Sequence, residues 1–472
     1  MTTRQEKDSL GVKEVPADAY YGAQTARAIE NFPISGLWSH PIFIDATVLI
    51  KKAAAKVNYE LGLLDQEKAK AITQASDEVL TGKHRSQFVV DAYQAGAGTS
   101  HNMNVNEVLA NRANEILGGE CGSYDRVHPN DHVNMSQSTN DVIPTAVRVA
   151  GVLLWKKLDA SLESLQKALE RKTKEFDKII KSARTHLQDA TPIRLGQEFS
   201  GYAASIRKNR KRIQAAVEDL LVIGIGGTAV GTGVNSHPQY RQKMTQVLSE
   251  FTGYKFVATD NLFEAMQSAS VVLAVSATLR VLATDLIRIA NDLRLLSSGP
   301  STGLREIRLP AVQPGSSIMP AKVNPVMAEM LDMVCFQIIG LDSAIGLAAQ
   351  AGQLELNVMF PLIAWDLCHM MEILTNSARV FTERCVLGIQ ADETRCKQFA
   401  ERNVTIVTAL NPYIGYAKAA EIGKEALAGG KTIRELVLEK KFLPKDKLEQ
   451  VLDLYSMTEP NIRERGRFYD KQ

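Results

Sequence analysis

Paired cysteine is the first thing this 472-residue chain lacks. Its five cysteines, Cys121, Cys335, Cys368, Cys385 and Cys396, show no CxxC and no paired spacing. That excludes a disulfide framework and a zinc ribbon, and it fits reduced thiols in the cytoplasm. An excess of one charge is missing too: 55 Lys and Arg face 53 Asp and Glu, a formal net charge of +2. Such a balance leaves no electrostatic footprint for nucleic acid or for an anionic membrane surface. The most lipid-like stretch, LLVIGIGGTAVGTGV at 220–234, is too short and too rich in glycine to span a bilayer. The opening MTTRQEKDSLG is polar and lacks the apolar centre of a signal peptide. A GxSxG elbow, a Walker loop, internal repeats and low-complexity segments are also absent.

What is present is helix. No proline lies between Pro144 and Pro192, and within that interval Leu158, Leu162, Leu165 and Leu169 recur at helical spacing. A second run, 193–222, aligns Ile206, Ile213, Val217 and Leu220. A third, 261–298, contains neither glycine nor proline and stops at SSGP. A fourth follows Pro325, and a fifth extends from Pro361 to Arg384. Several exceed the mean helix length of roughly 11–12 residues about two- to threefold. Helices that long bury a stripe along their whole length, which predicts side-by-side packing in a bundle. The third and fourth are apolar on most faces, so they should have protein all round, including other copies of the chain. The flanks mix shorter helices with turn-rich loops. The expectation is a mainly helical protein in three regions: 1–140, a long-helix bundle at 141–390, and a small helical domain at 391–472.

Four polar stretches interrupt this pattern: GAGTSHNMNVNE at 96–107, HPNDHVNMSQSTND at 128–141, RTHLQDATP at 184–192, and GSSIMPAKVNP at 315–325. Together they supply Thr99, Ser100, Ser138, Thr139, Asn140, Thr185, His186, Ser316, Ser317, Lys322 and Asn324. Hydroxyls, amides and one lysine suit an anion, a carboxylate above all. Each stretch alone also reads as caps and turns, and His186 alone as a structural histidine. His128 and His132 have a spacing that could hold metal, but the proline and ND between them favour a turn. GIGGTAVGTG fits a dinucleotide fingerprint poorly and lacks a flanking strand. The 315–325 loop resists the plain reading. Ser316 and Ser317 follow a glycine, so backbone N–H groups can turn inward, and Pro320 and Pro325 restrict the loop. It reads as a lid carrying a reactive hydroxyl, whose oxyanion backbone N–H groups and Lys322 could stabilise.

GSSIMPAKVNP matches without a break the GSSxMPxKxN signature of the fumarase/aspartase superfamily. THLQDATP, SQSTND and GAGTSHNMNVNEVLANRA resemble the family's other site segments. VPADAYYGAQTARAIENFPISG and LNPYIGYAKAAEIGKEAL extend the resemblance over essentially the whole chain. The resemblance implies three domains around a five-helix bundle, a homotetramer with a twenty-helix core, and sites gathered from three subunits. It implies anti β-elimination releasing fumarate, with no cofactor; the residues themselves show no ligand cluster, so no metal is expected. Carried over, Ser316 is the base and Thr99, Ser138, Thr139 and Ser317 hold the β-carboxylate. Lys322 and Asn324 bind the α-carboxylate. Asn140, Thr185 and His186 surround the leaving group, and Glu329 pairs with the histidine in some members. Thr139 in STN, YYGAQT, AGTS and AGQLELNVM resemble the ammonia-lyase branch, which acts on aspartate. GGTAVGTGVNSHPQY resembles the fumarate hydratases, and Arg126, His128, Asn130 and Asp131 resemble a second anion site of that branch. Ser301 replaces a usual arginine, and Phe360 stands where a glutamate is common. The expectation is an aspartate ammonia-lyase, with fumarate hydration second and a non-catalytic structural relative third.

Overall fold

The computed structural model describes residues 2–460. It is mainly helical, as the periodicity predicts. The strands occur only in two-stranded sheets among the described residues. A hairpin of β1 (Thr3–Asp8) and β2 (Gly11–Pro16) precedes α1 (Ala23–Asn31), α2 (Pro41–Glu60), α3 (Gln66–Leu80) and α4 (Thr99–Ile116). Then comes α5 (Thr139–Glu175), and a second hairpin of β3 (Ile180–Thr185) and β4 (Gln188–Arg194). The remaining α-helices before the C-terminal segment are α6 (Leu195–Glu218), α7 (Tyr240–Thr252), α8 (Leu262–Gln267), α9 (Ser270–Leu296), α10 (Val326–Gln350) and α11 (Phe360–Arg384), with the two-residue strands Val222–Ile223, Val257–Ala258 and Ile307–Arg308 between them. Shorter helices follow from Glu393 onward.

Contacts divide the chain into two units. One comprises Met1–Ser161, Asn209–Thr284 and Met333–Asn376, the other Leu162–Lys208, Asp285–Asp332 and Ser377–Gln472. In the first, α2, α3 and α4 close on Val48, Ile72, Val79, Val105 and Leu109, all essentially inaccessible. Trp155 Nε1 donates to Gln214 at 2.6 Å and Ser276 Oγ to Asp342 at 2.6 Å, which ties α5 to α6 and α9 to α10. In the second unit Tyr202 donates to Asp292 at 3.0 Å and Arg294 pairs with Asp332 at 3.0 Å. The short C-terminal helices enclose their own apolar cluster of Leu410, Ile422, Leu436 and Leu448.

The five long runs are all helical, and the leucine stripe of α5 is buried along its length. Their ends differ from the sequence reading in three places. α5 begins at Thr139 and carries Pro144 inside it, because a proline within the first two turns forfeits only one backbone bond. The run at 261–298 is broken at Ser268, whose backbone is extended, giving α8 and α9. α5 ends at Glu175, well before Pro192, and the 184–192 stretch belongs to a β-hairpin. In the N-terminal flank α2 and α4, of 20 and 18 residues, are longer than expected. The most membrane-like segments are α9 and α10 rather than 220–234: both are long and apolar enough to cross a bilayer by length and composition. α10 leaves Met333, Phe336 and Leu347 exposed at 64%, 57% and 64%. Phe360, at a position where the resemblance makes glutamate common, is a buried core side chain. Cys335, Cys368, Cys385 and Cys396 are buried and Cys121 is half-buried, all as free thiols.

Candidate active site

In the second unit the loop 315–325 folds on itself. Gly315 N–H donates to the Lys322 carbonyl at 2.8 Å, and Asn324 Nδ2 to the Gly315 carbonyl at 2.6 Å. A Cβ at Gly315 would stand 2.5 Å from the Lys322 oxygen and 2.7 Å from the Asn324 nitrogen. Only glycine permits that closure. Inside the turn the Ser316 hydroxyl oxygen accepts from the backbone N–H of Ile318 at 3.2 Å and of Met319 at 3.0 Å. This is a local serine turn, and it is also what an alkoxide needs: two preformed donors on the oxygen. Ser317 and Lys322 are exposed and have no side-chain partner among the described residues. Ile318 is 83% exposed, so the loop presents an apolar crest beside the Ser316 hydroxyl.

The hairpin β3–β4 carries Thr185 and His186. Its turn residues His186 and Leu187 both have left-handed backbones, φ 55° and 59°, as a two-residue turn of the I′ type requires, but without the usual Asn-Gly. The strands are held rigidly behind it. Buried Glu306 pairs with Lys181 and Arg184, each at 3.0 Å, and Asn403 Nδ2 donates to Ser182 Oγ and the Ala190 carbonyl, both at 2.6 Å. Strain maintained by such anchoring is a mark of functional geometry. His186 itself is exposed and without a hydrogen-bond partner among the described residues, so it is not a satisfied structural histidine. Glu329, in the first turn of α10, likewise has no side-chain partner there, and no His186–Glu329 pair forms within the chain.

In the first unit, Thr99 is the first residue of α4 and Thr139 the first of α5. Helix N-termini favour anions. The hydroxyls are prepared for one. Asn102 Nδ2 donates to Thr139 Oγ1 at 3.2 Å, and Asn140 N–H to Ser138 Oγ at 3.2 Å. With these oxygens serving as acceptors, each hydroxyl proton is left to donate outward, which matches a carboxylate. Ser138 is a cap as well: its N–H donates to Asp141 at 2.9 Å. The capping reading holds, and the free hydroxyl protons are compatible with the expected carboxylate. Asn140 Nδ2 donates to the Ala229 carbonyl at 2.8 Å. The glycine-rich loop after Gly224 gives its Gly226 and Thr228 N–H groups to Asp141, both at 3.0 Å, rather than presenting them to a phosphate.

The RVHPND segment forms a tight turn. His128 Nδ1 accepts from Asn130 and Asp131 N–H, and His132 Nδ1 accepts from His128 N–H at 2.8 Å. Arg126, Asn130 and Asp131 are exposed, and the Asp131 carboxylate lies 3.3 Å from His128 Nδ1. Among the described residues no cluster of three His, Cys, Asp or Glu side chains could hold a metal.

Sequence reasoning missed the layer behind Thr139. Lys51 of α2 is fully buried and donates to Asn134 Oδ1 at 2.8 Å and Gln137 Oε1 at 3.1 Å. Burial pushes its ammonium down to about 7 and the buried Asp141 carboxyl up to about 6. A signal was available: Lys51 stands on the stripe of Val48 and Ala55, a cation on an apolar face.

Comparison with known proteins agrees with this architecture. Residues 11–340 match the lyase family model, and 406–459 the model for the fumarase C C-terminus. The chain is 48% identical over 459 residues to the aspartate ammonia-lyase of Bacillus subtilis (strain 168), covering 97% of each. It is 50% identical over 461 residues to the class II fumarate hydratase of Halobacterium salinarum, covering 97% of this chain and 98% of that protein. A fumarate lyase:delta crystallin from Brucella melitensis, solved bound to cobalt, superposes with a TM-score of 0.94 at 48% identity, over 97% of this chain and all of that one. The chain belongs to the fumarase/aspartase superfamily of lyases.

Proposed function

We propose that this lyase removes ammonia from L-aspartate by anti β-elimination, giving fumarate. The observation that carries the reaction class is the Ser316 hydroxyl held under two backbone N–H donors in the 315–325 loop. Ser316 as alkoxide takes the Cβ proton, and the electron pair moves into the adjacent carboxylate as an enediolate. Thr99, Ser138, Thr139 and Ser317 donate to its oxygens, which carry more charge there than in the substrate. Lys322 and Asn324 take the α-carboxylate. The C–N bond breaks as the enediolate collapses to fumarate, with Asn140, Thr185 and His186 around the departing amine. The site draws on several copies of the chain in a homotetramer, consistent with the apolar residues that α10 exposes.

Thr139 and the AGTS, YYGAQT and AGQLELNVM segments support aspartate. Hydration of fumarate to malate is the second reading, favoured by relatives of that activity at equal identity and by the Arg126–Asp131 segment. Following fumarate absorbance with L-aspartate and with L-malate decides between them. The expected result is faster fumarate formation from aspartate. Faster malate dehydration overturns the assignment, and inactivity with both favours a structural relative.

A further inference from the structure

The buried layer behind the STN segment has more order than capping requires. Lys51 contributes a buried ammonium with no carboxylate within ion-pairing distance among the described residues; both of its acceptors are amide oxygens. A buried cation is costly unless its surroundings are built for it. Here they are. Asn134 Oδ1 also accepts from Asn102 Nδ2 at 3.3 Å and Asn106 Nδ2 at 3.2 Å, and Asn134 Nδ2 donates to the Gln137 carbonyl at 3.2 Å. Gln137 Nε2 closes the turn on the Val133 and Met135 carbonyls, both at 3.1 Å. Ser138 and Thr139 follow immediately. Asn102, three residues into the helix that Thr99 begins, also reaches Thr139 Oγ1 at 3.2 Å. One network therefore fixes the two carboxylate-binding segments relative to each other, with a lysine at its centre.

We propose that Lys51 is a positioning residue for this reaction: its Nζ donors organise the Asn134–Gln137 turn, which with Asn102 aims the hydroxyls of Thr99, Ser138 and Thr139 at the substrate carboxylate. The inference rests on the proposed elimination of a dicarboxylate. Lys51 does not touch substrate. Its removal should act on carboxylate affinity and on the transition state together, since the same hydroxyls serve both. A displacement of about 1 Å in such groups costs on the order of 10²-fold in rate.

The test uses the full chain. Wild type is assayed first with aspartate and malate, so failure of the functional reading shows before any variant is made. Lys51→Met, Asn102→Ala and the control Lys52→Met, whose surface ammonium pairs with Asp77 at 2.6 Å, are then compared. Readouts are kcat and KM, the calorimetric dissociation constant of succinate (a dicarboxylate with no leaving group), and circular dichroism. For Lys51→Met the expectation is a fall in kcat/KM of about 10²-fold and succinate binding weakened about tenfold, with Lys52→Met unchanged. A folded Lys51→Met that binds succinate as wild type does overturns the proposal. If Lys51→Met does not fold, Asn102→Ala decides, because it leaves the lysine and its two acceptors in place and cuts the link to Thr139. Weaker succinate binding supports the proposal, and unchanged binding overturns it.

Discussion

At Ser316 the proposed chemistry turns on one oxygen and the two N–H groups that meet it. Replacing it with alanine removes the proposed base but no buried contact. We expect kcat to fall by at least about 10²–10⁴-fold, with the unfolding midpoint nearly unchanged, as is usual for a surface substitution. A variant keeping more than a tenth of wild-type kcat would show that Ser316 is not the base. Gly315 is a sharper probe of geometry. An alanine there must open the loop base, because the atoms it meets are backbone. We expect Gly315→Ala to lose about 10²-fold in kcat with the fold intact by circular dichroism. Wild-type turnover would mean that the closed loop base does not set the serine. The candidate hydroxyls, His186 and Lys322 are legible in sequence because polar residues cluster in short stretches between apolar helices. The partners of Lys51 and Asp141 are not, because they come from the 133–137 turn and the glycine-rich loop, and only the fold brings these together.

Among the elements, the long helices are the most legible part of the chain, since a stripe such as Leu158 to Leu169 needs no knowledge of its neighbours. The β3–β4 hairpin is the least. Its turn is His-Leu instead of Asn-Gly, and what holds it, Glu306 and Asn403, lies more than a hundred residues away. The α3–α4 pair makes a testable contribution of its own. Arg112 on α4 hydrogen-bonds to Glu78 on α3, and His84 adds to it, holding the Glu78 carboxyl down at about 2 against an ordinary 4.5. The folded value is the lower one, so the stabilisation is complete above pH 4.5 and is lost as the pH falls through 2. The difference in unfolding free energy between wild type and Glu78→Gln should be flat above pH 4.5 and shrink below it. A difference that instead grew on acidification would show that the Glu78 carboxylate does not stabilise this pair.

For the whole molecule, the proposal that each site is shared among copies has a direct test. Ser316→Ala and His186→Ala are each expected to be inactive. Unfolded together in equal amounts and reassembled, they should regain about a quarter of wild-type activity, because about one site in four then draws its loop and its histidine from intact segments of different chains. Mixed oligomers confirmed by mass spectrometry but lacking activity would sink the shared-site architecture. Apolarity on all faces of α9 and α10 is readable in sequence; which surface covers α10 is not, since Met333, Phe336 and Leu347 say only that something apolar belongs there.

The cysteines matter in a further way. Burial raises the thiols of Cys121, to about 11, and of Cys385 and Cys396, to about 12, and that of Cys368 further still; Cys335 is fully buried. At neutral pH the native protein is thus nearly silent toward maleimides and disulfide reagents. A single cysteine in place of the exposed Ile318 would be its one fast-reacting thiol, and a dye attached there would watch the loop open and close during turnover without any native residue having to be removed first.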